Sequence, residues 1–214
     1  MTTKTVVELD LVRYSDVARI IEENLGAALV LKFNDQIQNF VEAGLKAVKL
    51  KRNKVVLATT GDGAILAFEQ AAQAHHFAVA VHEAAQVHNS GRTIASAIRW
   101  FRIGGATGEL HMQPRDGGGQ EIAGTVIATA VRLEAAARPG QFLIDEVTYS
   151  ALGKNLQALY GPKETVSGKR NEKFAARRCT VVPFVDHPPS GPTRSAMLAR
   201  LIRQSAPERL ASVV

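Results

Sequence analysis

Val55-Val56-Leu57-Ala58-Thr59-Thr60-Gly61-Asp62-Gly63-Ala64-Ile65-Leu66-Ala67-Phe68 reads as a β-hairpin. Two short runs of β-branched and apolar residues flank Gly61-Asp62-Gly63, where glycine can supply a positive φ and Asp62 sits at the tip facing outward. An ordinary turn explains the tripeptide taken alone. What sets it apart is a single carboxylate on a rigid mount, and the rest of the chain decides what that carboxylate is for.

The chain has 214 residues, 46% of them hydrophobic, enough for one well-buried core plus appendages. The net charge of +6 is compatible with nucleic acid, an anionic surface or a polyphosphate substrate and does not choose among them. A single cysteine, Cys179, excludes an internal disulfide framework and a cysteine-rich zinc site. Its neighbours Thr180, Val181 and Val182 suggest a closing strand in which the thiol is a small core residue. The N-terminus lacks the apolar core of a signal peptide, and no window approaches a membrane span. A cytoplasmic protein is the expectation.

Outward from the hairpin, Thr5 to Leu11 is a short strand, with Asp10 near its end and Ser15 as the expected helix cap. Val17, Ile20 and Ile21 repeat at helical spacing, and a longer helix runs from Ala27 to about Val48. The join places Asp10 at a strand's C-terminal end and aims the amides of Val12 to Ser15 from a helix N-terminus, a ready anion site. Glu69 to His88 is an Ala-rich helix whose histidines lack the i,i+3 or i,i+4 spacing that points two imidazoles at one ion. Ile98 to Met112 reads as strand, Gly-rich turn, strand, and Gln113 to Gln120 as a loop or irregular hairpin. A helix from Ile122 stops at Pro139-Gly140, followed by a strand (Gln141 to Asp145) and a short helix (Glu146 to Leu152). Leu156 to Val166 and Cys179 to Phe184 complete a strand pair around a basic loop, Ser167 to Arg178. The composition changes at His187, so the reading is one domain over 1–186, then a linker and a basic amphipathic helix within 187–214. The order of elements gives an α+β fold with a ferredoxin-like βαββαβ core, a mostly antiparallel sheet with helices on one side. Such a core also hosts RNA-binding modules, but the strands lack the interleaved surface aromatics of a stacking platform, so no nucleic-acid partner is expected.

Three segments, taken together and in order, resemble the class III nucleotidyl (adenylyl and guanylyl) cyclase catalytic domain over roughly residues 4 to 184. They are Leu9-Asp10-Leu11-Val12-Arg13-Tyr14-Ser15, Thr60-Gly61-Asp62-Gly63, and Arg102 to Glu109 with Ala130-Val131-Arg132-Leu133-Glu134 leading to Pro139-Gly140. The resemblance implies that Asp10 and Asp62 bind two divalent ions, Mg²⁺ or Mn²⁺, with the Leu11 carbonyl completing the inner shell. Hard oxygen ligands on separate rigid elements suit those ions. It further implies that the amides of Val12, Arg13, Tyr14 and Ser15 cradle the β- and γ-phosphates, that Arg132 stabilises the transition state, and that Lys169 binds phosphate. The bland alternative for Arg132 is a surface arginine paired with Glu134. A homodimer with shared sites is also implied, the aspartates from one subunit facing the arginine of the other.

The departures carry information of their own. Purine cyclases of this class read the base with a lysine four residues before the second metal aspartate and an acidic or hydroxyl residue at the start of the arginine helix; those positions hold Ala58 and Glu121. The ribose-orienting asparagine is replaced by Ala128, with Thr125 on the same helical face. Loss of a hydrogen-bonding reader costs discrimination strongly. Altered readers beside intact metal and arginine positions resemble the pyrimidine cyclases of bacterial anti-phage signalling, which implies UTP ahead of CTP and a cyclic product acting on a separate effector. A purine cyclase with atypical readers and an inactive cyclase-homology module remain the alternatives, and Tyr14, Arg99, Arg102 and Glu121 are the open candidates for reading the base.

Overall fold

The computed structural model describes residues 2–114, 120–167 and 173–185. Lys169 and everything from 186 onward, including the expected linker and C-terminal helix, lie outside the described residues.

The chain begins with β1 (Thr2–Leu11), followed by α1 (Tyr14–Leu25) and α2 (Ala27–Ala47). A short helix α3 (Arg52–Val55) leads into the hairpin β2 (Val56–Thr59) and β3 (Gly63–Phe68), then α4 (Ala71–Asn89) and β4 (Phe101–Pro114). Next come β5 (Gln120–Ala123), α5 (Thr125–Ala136), β6 (Gln141–Asp145), α6 (Glu146–Ala151), α7 (Lys154–Gln157), β7 (Glu164–Ser167) and β8 (Lys173–Thr180). The strand order is β2-β3-β1-β4-β6-β8-β7, with β5 paired to β4. Within it, β4-β1-β3-β2 is the antiparallel ferredoxin-like half, and β4 with β6 is the one parallel pair among the described residues, joined across α5. No helix among the described residues is long and apolar enough to cross a membrane.

Alternation along β1 sends Val7, Leu9 and Leu11 to one face, where Phe33, Ile37, Val41, Phe77 and Val81 of α2 and α4 cover them. Val6 faces the other way, into a smaller core with Val126, Ala130 and Leu133 of α5. Helices therefore cover both faces and not one. Asp10 has the parity of Val6, so its side chain emerges on the α5 side.

Glycine explains the largest difference from the sequence reading. Ile98 to Met112 was expected to turn at its glycines, yet β4 runs unbroken through Gly104, Gly105 and Gly108. The missing side chain at Gly104 lets α5 settle directly on the strand: a Cβ there would stand 2.0 Å from the Glu134 amide nitrogen and 2.5 Å from the Ala130 carbonyl. The arginine helix starts at Thr125, so Glu121 belongs to β5, opposite Gln113, and not to a helix start. Much of the expected basic loop is strand β8, where Arg178 pairs with Glu164 and Arg177 with Glu146, while 181–185 forms no strand. Leu156 to Val166 splits into α7 and β7, and Val55 belongs to α3.

Three of the four α4 histidines hold other elements of the fold. His75 Nδ1 meets Tyr160 Oη at 2.9 Å, His82 Nε2 meets the Gln141 carbonyl at 3.2 Å and His88 Nε2 meets the Ala97 carbonyl at 3.2 Å. Burial pulls His82 down to about 4, so the fold holds it neutral. Its contribution to stability is complete above the unfolded value near 6.5 and is lost as pH falls toward 4. We expect the urea-unfolding free energy to fall over that window, with up to about 1.4 kcal/mol per pH unit assignable to His82. His82→Gln, which keeps a donor for Gln141, should flatten the profile by about one proton.

Candidate active site

Backbone register builds the site. Asp10 on β1 stands opposite Gly63 on β3 and opposite Arg102 on β4. The Leu11 amide donates to the Asp62 carbonyl at 2.8 Å, which ties the β2–β3 turn to the end of β1. Gly63 makes this possible, because a Cβ there would lie 1.8 Å from the Leu9 carbonyl oxygen. Neither Gly61 nor Gly63 has a positive φ, contrary to the hairpin expectation; both are needed for close approach. At Gly61 the neighbour is Tyr14, whose hydroxyl would be 2.5 Å from an added Cβ.

The Asp10 and Asp62 side chains consequently come within interaction range. Burial raises the Asp10 pKa, the Arg102 hydrogen bond opposes that rise, and the charge of Asp62 adds to it. Two carboxylates crowded together and partly buried form a hard, oxygen-only donor set. Such a set would suit Mg²⁺ or Mn²⁺, hard cations that take oxygen ligands. No group of three or more His, Cys, Asp or Glu side chains among the described residues offers a metal cage.

Arg102, one of the four open candidates for reading the base, is engaged by two carboxylates of its own chain. Instead of facing a base, its Nη2 donates to Asp10 Oδ2 at 2.5 Å and its Nε stands 2.8 Å from Glu134 Oε1 of α5. Glu134, with a side chain only 6% exposed, thus anchors Arg102 from α5. Arg99 is also no base reader. Only 1% exposed, it donates to Gln36 Oε1 at 3.0 Å and the Ser96 carbonyl at 2.7 Å, and it lies 4.7 Å over the Phe33 ring. Burial pulls it down to about 10.

The anion loop differs in detail from its reading. Arg13, in the left-handed region at φ 62°, is the N-cap of α1 in place of Ser15, which sits in the first turn. The Val12 amide donates to the Trp100 carbonyl at 2.8 Å and cannot also serve a phosphate; Arg13, Tyr14 and Ser15 remain at the helix N-terminus. The Tyr14 ring stacks on Phe33, and its hydroxyl meets the Asn34 amide at 2.8 Å.

Arg132 lies elsewhere. Its guanidinium carbon is 5.5 Å from the Phe174 ring centroid on β8. The row of Asp10 crosses β4 at Arg102 and reaches β8 near Thr180, three strands across and six residues along from Phe174. At about 4.8 Å per strand and 3.3 Å per residue, Phe174 is more than about 20 Å from Asp10. Thr125 and Ala128, on the same helix, are exposed, as are Ala58 on β2 and Glu121 on β5. One chain therefore brings Asp10, Leu11 and Asp62 together and leaves Arg132 apart from them.

No protein-family model matches the sequence, and no curated protein does so either. The fold has close parallels. It is that of the class III cyclase catalytic domain. The non-canonical dimeric guanylyl cyclase domain of the RhoGC fusion protein from Blastocladiella emersonii superposes with a TM-score of 0.64 at 18% identity, over 84% of this chain and 96% of its own. An adenylate cyclase from Trypanosoma brucei in its monomeric state gives 0.64 at 14% identity, over 87% and 93%. The guanylate cyclase domain of RhGC from Catenaria anguillulae, solved with GTP, gives 0.61 at 17% identity, over 83% and 95%.

Removing the Arg102 guanidinium leaves Asp10 and Glu134 without their shared counter-charge. Arg102→Leu should lower the unfolding free energy by about 2–3 kcal/mol at neutral pH, and adding Glu134→Leu should recover part of it; urea titration of both variants measures this.

Proposed function

We propose that the protein is a nucleotide cyclase, converting a nucleoside triphosphate to the 3′,5′-cyclic monophosphate and pyrophosphate. The observation that carries this reading is the convergence of Asp10 and Asp62, fixed by the Asp10–Gly63 register and the Leu11 to Asp62 hydrogen bond. Divalent ions held by Asp10, Asp62 and the Leu11 carbonyl would make the 3′-hydroxyl a better nucleophile and offset charge on the α-phosphate and leaving pyrophosphate. The N-terminus of α1 at Arg13, Tyr14 and Ser15 orients the triphosphate through its amides and dipole. Arg132 supplies a fixed guanidinium fork to the charge that builds at the α-phosphate as the O3′–P bond forms and the bond to pyrophosphate breaks. Lys169 is assigned to phosphate as well.

The distance between Arg132 and Asp10 within one chain supports a homodimer whose sites each combine Asp10 and Asp62 of one subunit with Arg132 of the other. Thr125 and Ala128 are exposed and Arg132, on the same side of α5, is half-buried, an outward-facing strip that suits such sharing. We assign the substrate as a pyrimidine triphosphate, UTP ahead of CTP. Ala58 offers no hydrogen bond to a purine edge, Ala128 none to the ribose, and the Thr125 hydroxyl is the replacement. In this reading the cyclic product is a cytoplasmic second messenger of anti-phage defence, acting on a separate effector with a cyclic-nucleotide pocket.

The test is incubation with each of the four ribonucleoside triphosphates and Mn²⁺, followed by separation of products. The expected result is cyclic UMP with pyrophosphate, less cyclic CMP, and loss of at least about 10³-fold in turnover for Asp62→Ala. Cyclic AMP or cyclic GMP as the main product overturns the pyrimidine assignment and leaves a purine cyclase with atypical readers. No product from any triphosphate overturns the enzyme reading in favour of an inactive cyclase-homology module.

A further inference from the structure

Three carbonyls of the turn that bears Asp62 are held from outside the hairpin. Gln38 Nε2 of α2 donates to the Gly63 carbonyl at 3.1 Å and lies 3.4 Å from that of Thr60. Asn34, with its amide nitrogen turned toward the acceptors around it, is 3.3 Å from the Gly61 carbonyl and 3.2 Å from Val30's. The two amides are four residues apart and share one flank of the helix, where both are half-buried. Gln38 is itself fixed on its other side: Arg52 Nη2 donates to Gln38 Oε1 at 2.5 Å, while Nη1 donates to Glu42 Oε1 at 2.8 Å. Arg52 also lines a surface concavity of about 420 Å³ with Asn53, Ala58 and Thr59.

We propose that Gln38 and Asn34 form a strap that positions Asp62 for divalent metal, and that Arg52 connects the strap to the concavity beside Ala58. The inference rests on the cyclase reading of Asp10 and Asp62 and adds three positioning residues to it. The physical reason is the placement of the turn. Its own ladder contributes Thr60 N–H to the Gly63 carbonyl at 3.1 Å, and β1 adds the Leu11 amide to the Asp62 carbonyl at 2.8 Å. Gly61, between Thr60 and Asp62, is restrained from α1 by Tyr14 and from α2 by Asn34. Without the strap the Asp62 carboxylate samples positions away from Asp10, and metal affinity falls by the fraction of time the pair is apart. A ligand seated in the concavity touches Arg52, and through Gln38 it alters that fraction. Occupancy beside Ala58 and metal binding at Asp62 are thereby coupled, and the coupling is reciprocal.

Mn²⁺ titration of the full-length protein, followed by electron paramagnetic resonance, tests this, with amide exchange across residues 59–63 of the metal-free protein as an independent readout. Gln38→Met keeps the side-chain length and removes the donors; Arg52→Met leaves both α2 amides in place and guards against misfolding of the first variant. The proposal expects Mn²⁺ to bind about tenfold more weakly in Gln38→Met and about threefold more weakly in Arg52→Met, with faster exchange at 59–63 and Tm within about 3 °C of the parent. Affinities within twofold of the parent in both variants, with unchanged exchange, overturn it. If the parent protein binds no Mn²⁺, the cyclase reading fails at the metal; exchange at 59–63 still decides the strap, faster exchange supporting it and unchanged exchange overturning it.

Discussion

The pairing of β1 with β3 at Asp10 and Gly63 is the constraint on which the candidate site depends. It brings a strand end and a turn close enough for the Leu11 amide to reach the Asp62 carbonyl, and at Gly63 only a residue without a side chain fits against the Leu9 carbonyl. The cost is two carboxylates in one partly buried place, visible in the raised pKa of Asp10. Arg102 offsets part of that repulsion in the metal-free protein.

The helix α5 faces two ways. Its inner side packs on β4 across Gly104 and presents Glu134 to Arg102, so it reaches the aspartates of its own chain through one intermediary. The side bearing Thr125, Ala128 and Arg132 points away from them. In the shared-site dimer proposed above, each α5 would stand between two active sites, serving one through Arg132 and buttressing the other through Glu134. The strap from α2 supports the Asp62 side of the same pair, so each aspartate has its own brace on a different helix.

Much of this was legible in the sequence where local chemistry and geometry coincide. The hairpin around Gly61-Asp62-Gly63, the strand ending at Asp10 and the antiparallel ferredoxin-like core emerge from alternation and turn residues. The glycines of β4 misled because a turn and a close helix approach demand the same residue, and only the position of α5 tells them apart. The start of α5 was misplaced because Ile122 and Ala123 suit a strand as well as a helix, which put Glu121 on the wrong element. Arg102 stood among four open candidates for reading the base because nothing local announces a partner 92 residues away. Asn34 and Gln38 were invisible for the opposite reason: polar residues at the edge of an apolar helical stripe look like solvated flank until the turn they grip is in place.

The central claim is that Asp62 of one subunit and Arg132 of the other act on one substrate, and a mixing experiment tests it most directly. Asp62→Ala and Arg132→Ala, each inactive alone, are unfolded together, refolded together and assayed with UTP and Mn²⁺. Random pairing makes half of the dimers mixed, and each mixed dimer keeps one intact site of two, so the account predicts recovery of about a quarter of the parent activity. A mixture that forms mixed dimers yet stays as inactive as either variant alone contradicts it.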